Sequence, residues 1–520
     1  QGSNLLKGFR APCLRQSSLG RRHPGAVASP EPMAARFATC GARQGLKSPL
    51  GALAAGSACA AGSLCDRRVV RLDSQQYATN LKPHHVATWQ DGSAGLVAER
   101  QINKVLNPIA LEFPGLNFLN PDELVMGHII MNDSKAAHRA SALKNGCVRG
   151  NVCRDIYWEP KEVKAAIVTC GGLCPGLNSI IREVTNTLWH QYGVRNILGI
   201  QGGYNGLSDP EEYPPVRLNT EIVREIHHKG GSVLKAGRGG FDAKKICDKL
   251  EEQGINMLFT VGGDGTQGAA HQLYEEAKKR GLKISIVGVP KSIDNDILYF
   301  DKTFGFDSAV ESACGCIRNA WVEATSCNKG VGIVKLMGRD AGFVAMNAAL
   351  SSTIVDLVLV PEVKVSMEDI KKHVDATLKR KNFVVVAVAE GAGQELVATG
   401  EKDATGHTIY GDIGTHLRDE INRHLKPVGG RSFYIDPSYI IRSCAISPND
   451  HIYCARLARD AVHTAMRGYT GVVVGPIHNV IVVIPSVLIA AGKRTISVKS
   501  SAWQSCVQSC KMPAALTGLG

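Results

Sequence analysis

From Lys164 onward, short apolar runs alternate with stretches of helical spacing. The runs are KAAIVT (164–169), INMLFTV (255–261), ISIVGV (284–289), VGIVKL (331–336), IVDLVLV (354–360) and FVVVAVA (383–389). Such short, continuously apolar segments are typical of parallel strands buried on both faces of a sheet. Residues 267–280 have amphipathic helical spacing and are followed by Gly281, a common helix-ending residue. The pattern predicts an α/β protein whose functional loops lie at the carboxyl ends of the strands.

The length of the chain predicts more than one domain. Its 520 residues exceed what a single hydrophobic core usually supports. Residues 76–162 show few periodic segments and are expected to form an extension packed on the core. We expect one α/β domain over 163–305, completed by 443–520, and a second over 306–442.

The positive charge is concentrated at the start of the chain. Residues 1–75 hold eleven Lys or Arg and three acids, so they carry +8 of the formal +13, and the remainder carries only +5. No basic run with interleaved aromatic residues follows, which argues against nucleic-acid binding. A leader rich in Ala, Ser, Gly and Arg is typical of an organelle transit peptide. A disordered tail is the alternative.

One apolar stretch, residues 471–492, raises the question of a membrane span. It is interrupted by Pro476, His478, Asn479 and Pro485, which favours a loop followed by a buried strand over 480–484. We therefore expect no transmembrane helix. The sixteen cysteines form no C-x-x-C pair, so buried free thiols are favoured over a redox switch.

Two glycine-rich loops follow predicted strands and precede helices. GGLCPGLN (171–178) and GGDGT (262–266) can bring backbone N–H groups close to phosphate oxygens at a helix N-terminus. The first loop could equally be a tight turn. In the second, Asp264 could hold a magnesium ion that neutralises a polyphosphate. A phosphate site is the favoured interpretation of this second loop.

The segment PKSIDND (290–296) carries the strongest indication of catalysis. Asp294 and Asp296 follow an apolar strand directly, and two carboxylates at this spacing can serve one as a base and one as a metal ligand. Lys291 adds a positive charge for phosphoryl oxygens. Acid pairs in loops are often only solvated or turn-forming, but this position favours function.

Three later loops add candidate phosphate and sugar contacts. In MGRDAG (337–342) and YIDPSYIIRS (434–443), Arg339 and Arg442 could clamp a phosphate. In PEV (361–363), Glu362 could accept hydrogen bonds from sugar hydroxyls. Each arginine alone could be an ordinary surface ion-pair residue. Together the loops supply a base, a metal ligand and phosphate clamps.

In this motif order, from about residue 117 to beyond 470, the sequence resembles the phosphofructokinase family, most closely its plant and algal branch. The resemblance implies two Rossmann-like domains with the active site between them, residues 163–305 binding ATP and 306–442 binding fructose 6-phosphate. It implies transfer of the γ-phosphoryl group of ATP to the C1 hydroxyl of the sugar phosphate, the committed step of glycolysis. A chloroplast location, with mitochondrion or cytoplasm as alternatives, and a dimer or tetramer are expected.

The resemblance also assigns roles to individual residues. Asp294 is the general base, with Lys291 and Arg339 balancing charge, and Asp264 and Asp296 are the Mg²⁺ ligands. The nucleotide-binding residues are Gly172, Arg238, Gly263, Asp264, Gly265 and Thr266. The residues that position the sugar phosphate are Ser292, Asp294, Met337, Gly338, Arg339, Glu362, Tyr439 and Arg442.

The phosphoryl donor depends on Gly265. In the family, Gly at this place leaves space for ATP, whereas Asp goes with pyrophosphate. Lys291 is typical of pyrophosphate users, although plant-type ATP enzymes also carry it. Lys235 and Phe433 depart from the family pattern at the nucleotide and sugar sides. A pyrophosphate-dependent enzyme and a catalytically weak regulatory paralogue are therefore the alternatives.

Overall fold

The computed structural model describes residues 84–85, 105–120, 123–126, 146–397 and 409–519, so the predicted leader lies outside the described residues. The strands are β1 His84–His85, β2 Val105–Leu106, β3 Leu124–Met126, β4 Gly146–Arg149, β5 Asp155–Ile156, β6 Lys164–Thr169, β7 Asn196–Ile200, β8 Val216–Arg217, β9 Met257–Gly262, β10 Ser285–Pro290, β11 Gly330–Leu336, β12 Leu357–Leu359, β13 Phe383–Ala389, β14 Arg431–Ile435, β15 Tyr469–Thr470, β16 Val472–Ile477 and β17 Val480–Pro485.

The α-helices lie between these strands and after the last of them. They are α1 Pro108–Glu112, α2 Leu177–Asn186, α3 Tyr204–Ser208, α4 Ala243–Glu252, α5 Asp264–Arg280, α6 Phe306–Thr325, α7 Phe343–Ser352, α8 Met367–Lys381, α9 Gln394–Val397, α10 Ile413–Leu425, α11 Ser438–Ser443, α12 Pro448–Met466, α13 Ser486–Ile489 and α14 Ser501–Cys510.

Two sheets organise the chain. The larger has nine strands in the order β3-β4-β17-β16-β10-β9-β6-β7-β8. Its centre, β16-β10-β9-β6-β7, is parallel, and its edges are antiparallel. The smaller sheet, β12-β13-β11-β14, is parallel throughout. The α/β prediction is confirmed, and the larger sheet is mixed because short edge strands flank its parallel centre.

The predicted strands lie where the apolar runs lie, with one shortened. β6, β9, β10, β11 and β13 match their runs to within a residue or two, and the expected strand over 480–484 is β17. The run 354–360 yields only Leu357–Leu359. Asp356 explains this, because its buried carboxylate accepts the backbone N–H of Val385 and pairs with Lys381. The carboxylate of Asp356 therefore bonds to the neighbouring strand, and β12 begins only at Leu357.

The membrane and cysteine expectations can be examined only over the described ranges. There, no helix is both long and apolar enough to cross a membrane. The cysteines of these ranges are free thiols, and most are buried.

A buried histidine links the last long helix to the larger domain core. His463, on α12, is only 4% exposed, and its Nδ1 lies 2.6 Å from the hydroxyl of Tyr192. Burial, helped by the charge of Arg459, lowers the pKa of His463 from its ordinary 6.5 to about 3. The folded protein therefore holds this ring neutral at mildly acidic pH.

This histidine predicts acid sensitivity. The unfolded chain protonates His463 below its ordinary pKa and the folded chain does not, so the free energy of unfolding should fall as pH drops from about 6.5 to about 3. At pH 5 the loss from this group is about 2 kcal/mol. Urea denaturation at pH 7 and pH 5 should show a weaker pH dependence in His463→Gln than in the unsubstituted protein. His190→Gln, at an exposed position, is the control, and equal pH dependence in all three proteins would contradict the prediction.

Candidate active site

Two glycine loops meet at the carboxyl ends of the neighbouring strands β6 and β9. In the first, Gly171 has φ +85, a conformation that favours glycine. Its N–H donates to the carbonyl of Gly237 at 2.9 Å, which brings the loop beside Arg238. A Cβ at Gly172 would come within 3.8 Å of the Arg238 guanidinium. Gly172 and Arg238 therefore lie close together.

The second glycine loop forms the start of α5. Gly263 has extended backbone and precedes Asp264, the first residue of the helix. The first N–H groups of a helix have no partner within it and favour an anion. Among the described residues, nothing lies within 4 Å of a Cβ built at Gly265, whereas Thr266 is buried. The loop thus offers open space beside a helix N-terminus.

Lys291 lies beneath the first glycine loop. It is only 8% exposed, and its Nζ donates to the carbonyl of Gly172 at 2.8 Å. Burial lowers the pKa of Lys291 from its ordinary value. The hydrogen bond to Gly172 fixes the Lys291 amine at the loop that Arg238 also faces.

The segment after Lys291 is held in shape by its own side chains. Ser292 Oγ donates to Asp296 and accepts the N–H of Asp294. Asn295 has φ +57, a left-handed conformation that Asn tolerates better than most residues, and its Oδ1 accepts the N–H of Thr303 at 3.0 Å. These bonds fix the carboxylate of Asp296 and the backbone of Asp294.

Asp294 has an environment suited to a base. Its Oδ1 is buried and has no hydrogen-bond partner among the described residues, while the backbone N–H of Arg339 bonds to the carboxylate. Burial, followed by the negative charges of Asp296 and Glu390, raises the pKa of Asp294 to about 8. A carboxylate with this pKa can accept a proton near neutral pH.

The loop after β11 faces this segment from the smaller sheet. The Arg339 guanidinium lies 4.7 Å from the centre of the Tyr410 ring, and the Tyr410 hydroxyl donates to Asp340 at 3.1 Å. Gly338 has φ +133 and therefore requires glycine. The loop is thus fixed by its own neighbours.

Glu390, at the end of β13, lies among the cations of the smaller sheet. Burial raises the pKa of Glu390, and the positive charges of Lys335, Arg339 and Arg442 oppose this shift. The negative charge of Glu390 also acts on Asp294, so charged groups at the edges of the two sheets influence each other. Arg339 and Arg442 both act on Glu390.

A lysine from the C-terminal segment joins the two edges. Lys493 Nζ lies 3.3 Å from Oδ2 of Asp264 and 2.5 Å from Oδ2 of Asp340. Burial and then the charge of Asp264 raise the pKa of Asp296, whereas Ser292 and Lys493 lower it. Lys493 therefore contacts two carboxylates, and its charge also acts on a third, that of Asp296.

Three further residues predicted to position the sugar phosphate have different surroundings. Glu362 Oε1 accepts the N–H groups of Gly342 at 3.1 Å and Ile496 at 2.7 Å, so its carboxylate already has backbone partners. Tyr439 is 80% exposed, and its ring lies 4.9 Å from the Arg442 guanidinium. Met337 packs against the hydrophobic core.

The motifs did not single out four residues that line the site. Asp340 lies inside the quoted motif MGRDAG, and Glu390 follows the apolar run 383–389, so the rule of polar residues after strands could have found both. Tyr410 and Lys493 follow no predicted strand and belong to no motif. They reach the site only through the fold.

The phosphofructokinase family model matches residues 164–465. The chain belongs to the phosphofructokinase family. It is 42% identical over 411 residues to the chloroplastic ATP-dependent 6-phosphofructokinase 5 of Arabidopsis thaliana, covering 76% of each chain. It is 39% identical over 410 residues to the ATP-dependent 6-phosphofructokinase of Borreliella burgdorferi, covering 76% of this chain and 91% of that one.

Solved structures show the same phosphofructokinase fold. The pyrophosphate-dependent phosphofructokinase of Marinobacter aquaeolei superposes with a TM-score of 0.57 at 18% identity, covering 67% of this chain and 91% of that one. The phosphofructokinase of Pichia pastoris superposes with a TM-score of 0.53 at 23% identity, covering 68% and 37%. At these identities the likeness supports the fold alone.

The position of Arg339 in this phosphofructokinase depends on Gly391. A Cβ at Gly391 would lie 1.8 Å from the Arg339 carbonyl oxygen, so Gly391→Ala must displace that backbone. We expect kcat/KM to fall on the order of 100-fold, because a displacement near 1 Å in an active site has that effect. Steady-state kinetics test this, with Gly315→Ala as control because nothing described lies within 4 Å of its Cβ. Unchanged kinetics in Gly391→Ala would show that this close contact does not matter.

Proposed function

We propose that the protein transfers the γ-phosphoryl group of ATP to the C1 hydroxyl of D-fructose 6-phosphate, giving fructose 1,6-bisphosphate and ADP. The observation that carries the proposal is Asp294, whose buried Oδ1 has no partner among the described residues and whose pKa is raised to about 8. This carboxylate lies between the glycine loops and the Arg339 loop. Relatives at about 40% identity named ATP-dependent 6-phosphofructokinases support the same reaction.

The larger sheet supplies the nucleotide side of the site. Gly172, Arg238 and the Gly263–Thr266 loop bind the ATP phosphates through backbone N–H groups and one guanidinium. Lys291 contributes a buried positive charge at the first loop. We therefore propose that the ATP-binding domain comprises residues 163–305 and 443–520. The sugar-phosphate domain then comprises residues 306–442.

The sugar side is supplied by the smaller sheet. Arg339 and Arg442 clamp the 6-phosphate, with Ser292, Met337, Gly338 and Tyr439 beside the sugar. Glu362 acts through its two backbone partners, holding Gly342 and Ile496 together, so its contribution is to position the Arg339 loop. The ring centre of Phe433, on β14, lies 4.8 Å from the Arg431 guanidinium, and Arg442 is the phosphate contact proposed for this region.

Catalysis in this arrangement begins with proton removal. Asp294 accepts the proton of the C1 hydroxyl, and the resulting oxygen attacks the γ-phosphorus in line with the departing ADP oxygen. The positive charges of Lys291 and Arg339 stabilise the charge that develops on the transferred group. The backbone N–H of Arg339 holds the base in position.

The donor set fits a magnesium ion shared with the nucleotide. Asp264 and Asp296 are neighbouring carboxylates, and among the described residues no three His, Cys, Asp or Glu side chains form a metal site by themselves. Mg²⁺ is usually bound by one or two carboxylates together with substrate phosphates and water. When bound there, the ion neutralises negative charge on the phosphates. We also propose a chloroplast location, which relatives named chloroplastic support, and a homo-oligomer.

The proposed base is tested by Asp294→Asn. Loss of general base catalysis should lower kcat about 10²- to 10⁴-fold, measured as ADP formation with fructose 6-phosphate and Mg·ATP. Asp419→Asn changes an exposed carboxylate and should leave kcat unchanged. Turnover of Asp294→Asn close to that of the unsubstituted protein would contradict the mechanism. An unsubstituted protein that binds ATP without turnover would establish the regulatory alternative.

The donor is tested at Gly265. Because no described atom lies within 4 Å of a Cβ there, Gly265→Asp should fold with an unchanged Tm. Its carboxylate should nevertheless crowd and repel the nucleotide phosphates, raising KM for ATP by roughly 100-fold or more. Gly265→Ala adds bulk without charge and should have a smaller effect. Equal KM values in all three proteins, or rapid pyrophosphate turnover beside negligible ATP turnover in the unsubstituted protein, would reject the choice of ATP.

A further inference from the structure

Lys493 is held at the active site by backbone contacts on both sides. It follows α13 and forms an isolated antiparallel bridge with Ile297. The next N–H, of Arg494, donates to the carbonyl of Asp296 at 2.8 Å. Ile496 N–H then donates to Glu362 at 2.7 Å. The C-terminal segment is therefore hydrogen-bonded to the PKSIDND loop. Through Glu362 it is also linked to the loop that contains Arg339.

The ammonium of Lys493 lies where carboxylates converge. Its Nζ is 3.3 Å from Asp264 and 2.5 Å from Asp340, and its charge also acts on Asp296. The lysine side chain is only 31% exposed, so solvent screens these contacts incompletely. Two of the three carboxylates, those of Asp264 and Asp296, are the proposed Mg²⁺ ligands.

An ammonium and a divalent cation compete for the same oxygens. A free metal ion entering this site must displace a positive charge that is already neutralising the carboxylates, or bind beside it against like-charge repulsion. A nucleotide changes this balance, because its phosphate oxygens offer the ammonium new partners and bring their own share of metal ligands. Metal binding is then expected to be stronger when the nucleotide is present.

We propose that Lys493 is a positioning residue that occupies the place of the divalent cation in the nucleotide-free protein and makes metal entry depend on the nucleotide. The inference rests on the proposed ligand role of Asp264 and Asp296. It assigns a function to the C-terminal segment, which lies outside every motif quoted from the sequence.

The test uses Mn²⁺ as the probe. Its binding is measured from the loss of the free-ion electron paramagnetic resonance signal when Mn²⁺ is titrated with the full chain. Without nucleotide, the unsubstituted protein should bind Mn²⁺ weakly. Lys493→Gln and, as a second neutral variant, Lys493→Ala should bind it on the order of ten-fold more tightly, because the competing charge is gone. Lys493→Arg, which keeps the charge, should resemble the unsubstituted protein. Lys499→Gln removes a charge from an exposed position of the same segment and should also leave binding weak.

Two outcomes overturn the inference, and they are distinguishable. With a non-hydrolysable ATP analogue, the unsubstituted protein should bind Mn²⁺ tightly and Asp264→Asn should not. If Asp264→Asn binds as tightly, the ligand assignment fails and the role of Lys493 fails with it. If Asp264→Asn behaves as assigned but both neutral Lys493 variants bind nucleotide-free Mn²⁺ no more tightly than Lys493→Arg, only the role of Lys493 is rejected.

Discussion

Parallel strands that are buried on both faces can carry almost no polar side chains along their length, and this constraint determines where the chemistry of the protein lies. β9 and β10 are buried at every position, so the polar residues of the chain appear where these strands end. Because neighbouring parallel strands end at the same edge, the loops after β6, β9 and β10 meet. The smaller sheet presents its own edge in the same way, and the two edges enclose the site.

This constraint is also the reason that so much could be predicted from the sequence. The apolar runs identify the strands, and the polar loops that follow them contain Gly172, Asp264, Asp294 and Arg339, which lie together in the structure. The local shape of those loops follows from residue type as well. Gly171 and Gly338 have positive φ, and the Ser292 hydroxyl donates to the carboxylate of Asp296.

The site residues that the sequence did not predict are brought to the site by the fold of the whole chain. Tyr410 contacts Arg339 although the two residues are 71 positions apart in the chain, and Lys493 comes from the segment after β17. No periodicity or spacing carries such information, because it depends on how the whole chain returns to the same edge. Glu362 is a different case, because the sequence predicts an acceptor for sugar hydroxyls, whereas its carboxylate accepts the backbone N–H groups of Gly342 and Ile496.

Asp294 shows how one environment links stability to reactivity. Burial without a partner for Oδ1 disfavours the charged carboxylate, so the folded protein is less stable with this group ionised than it would be with the group in water. The same penalty raises the proton affinity of the carboxylate, which makes it a stronger base. A second hydrogen-bond donor at Oδ1 would stabilise the fold and weaken the base. The single N–H from Arg339 is therefore a compromise, in which the carboxylate is oriented but its basicity is kept.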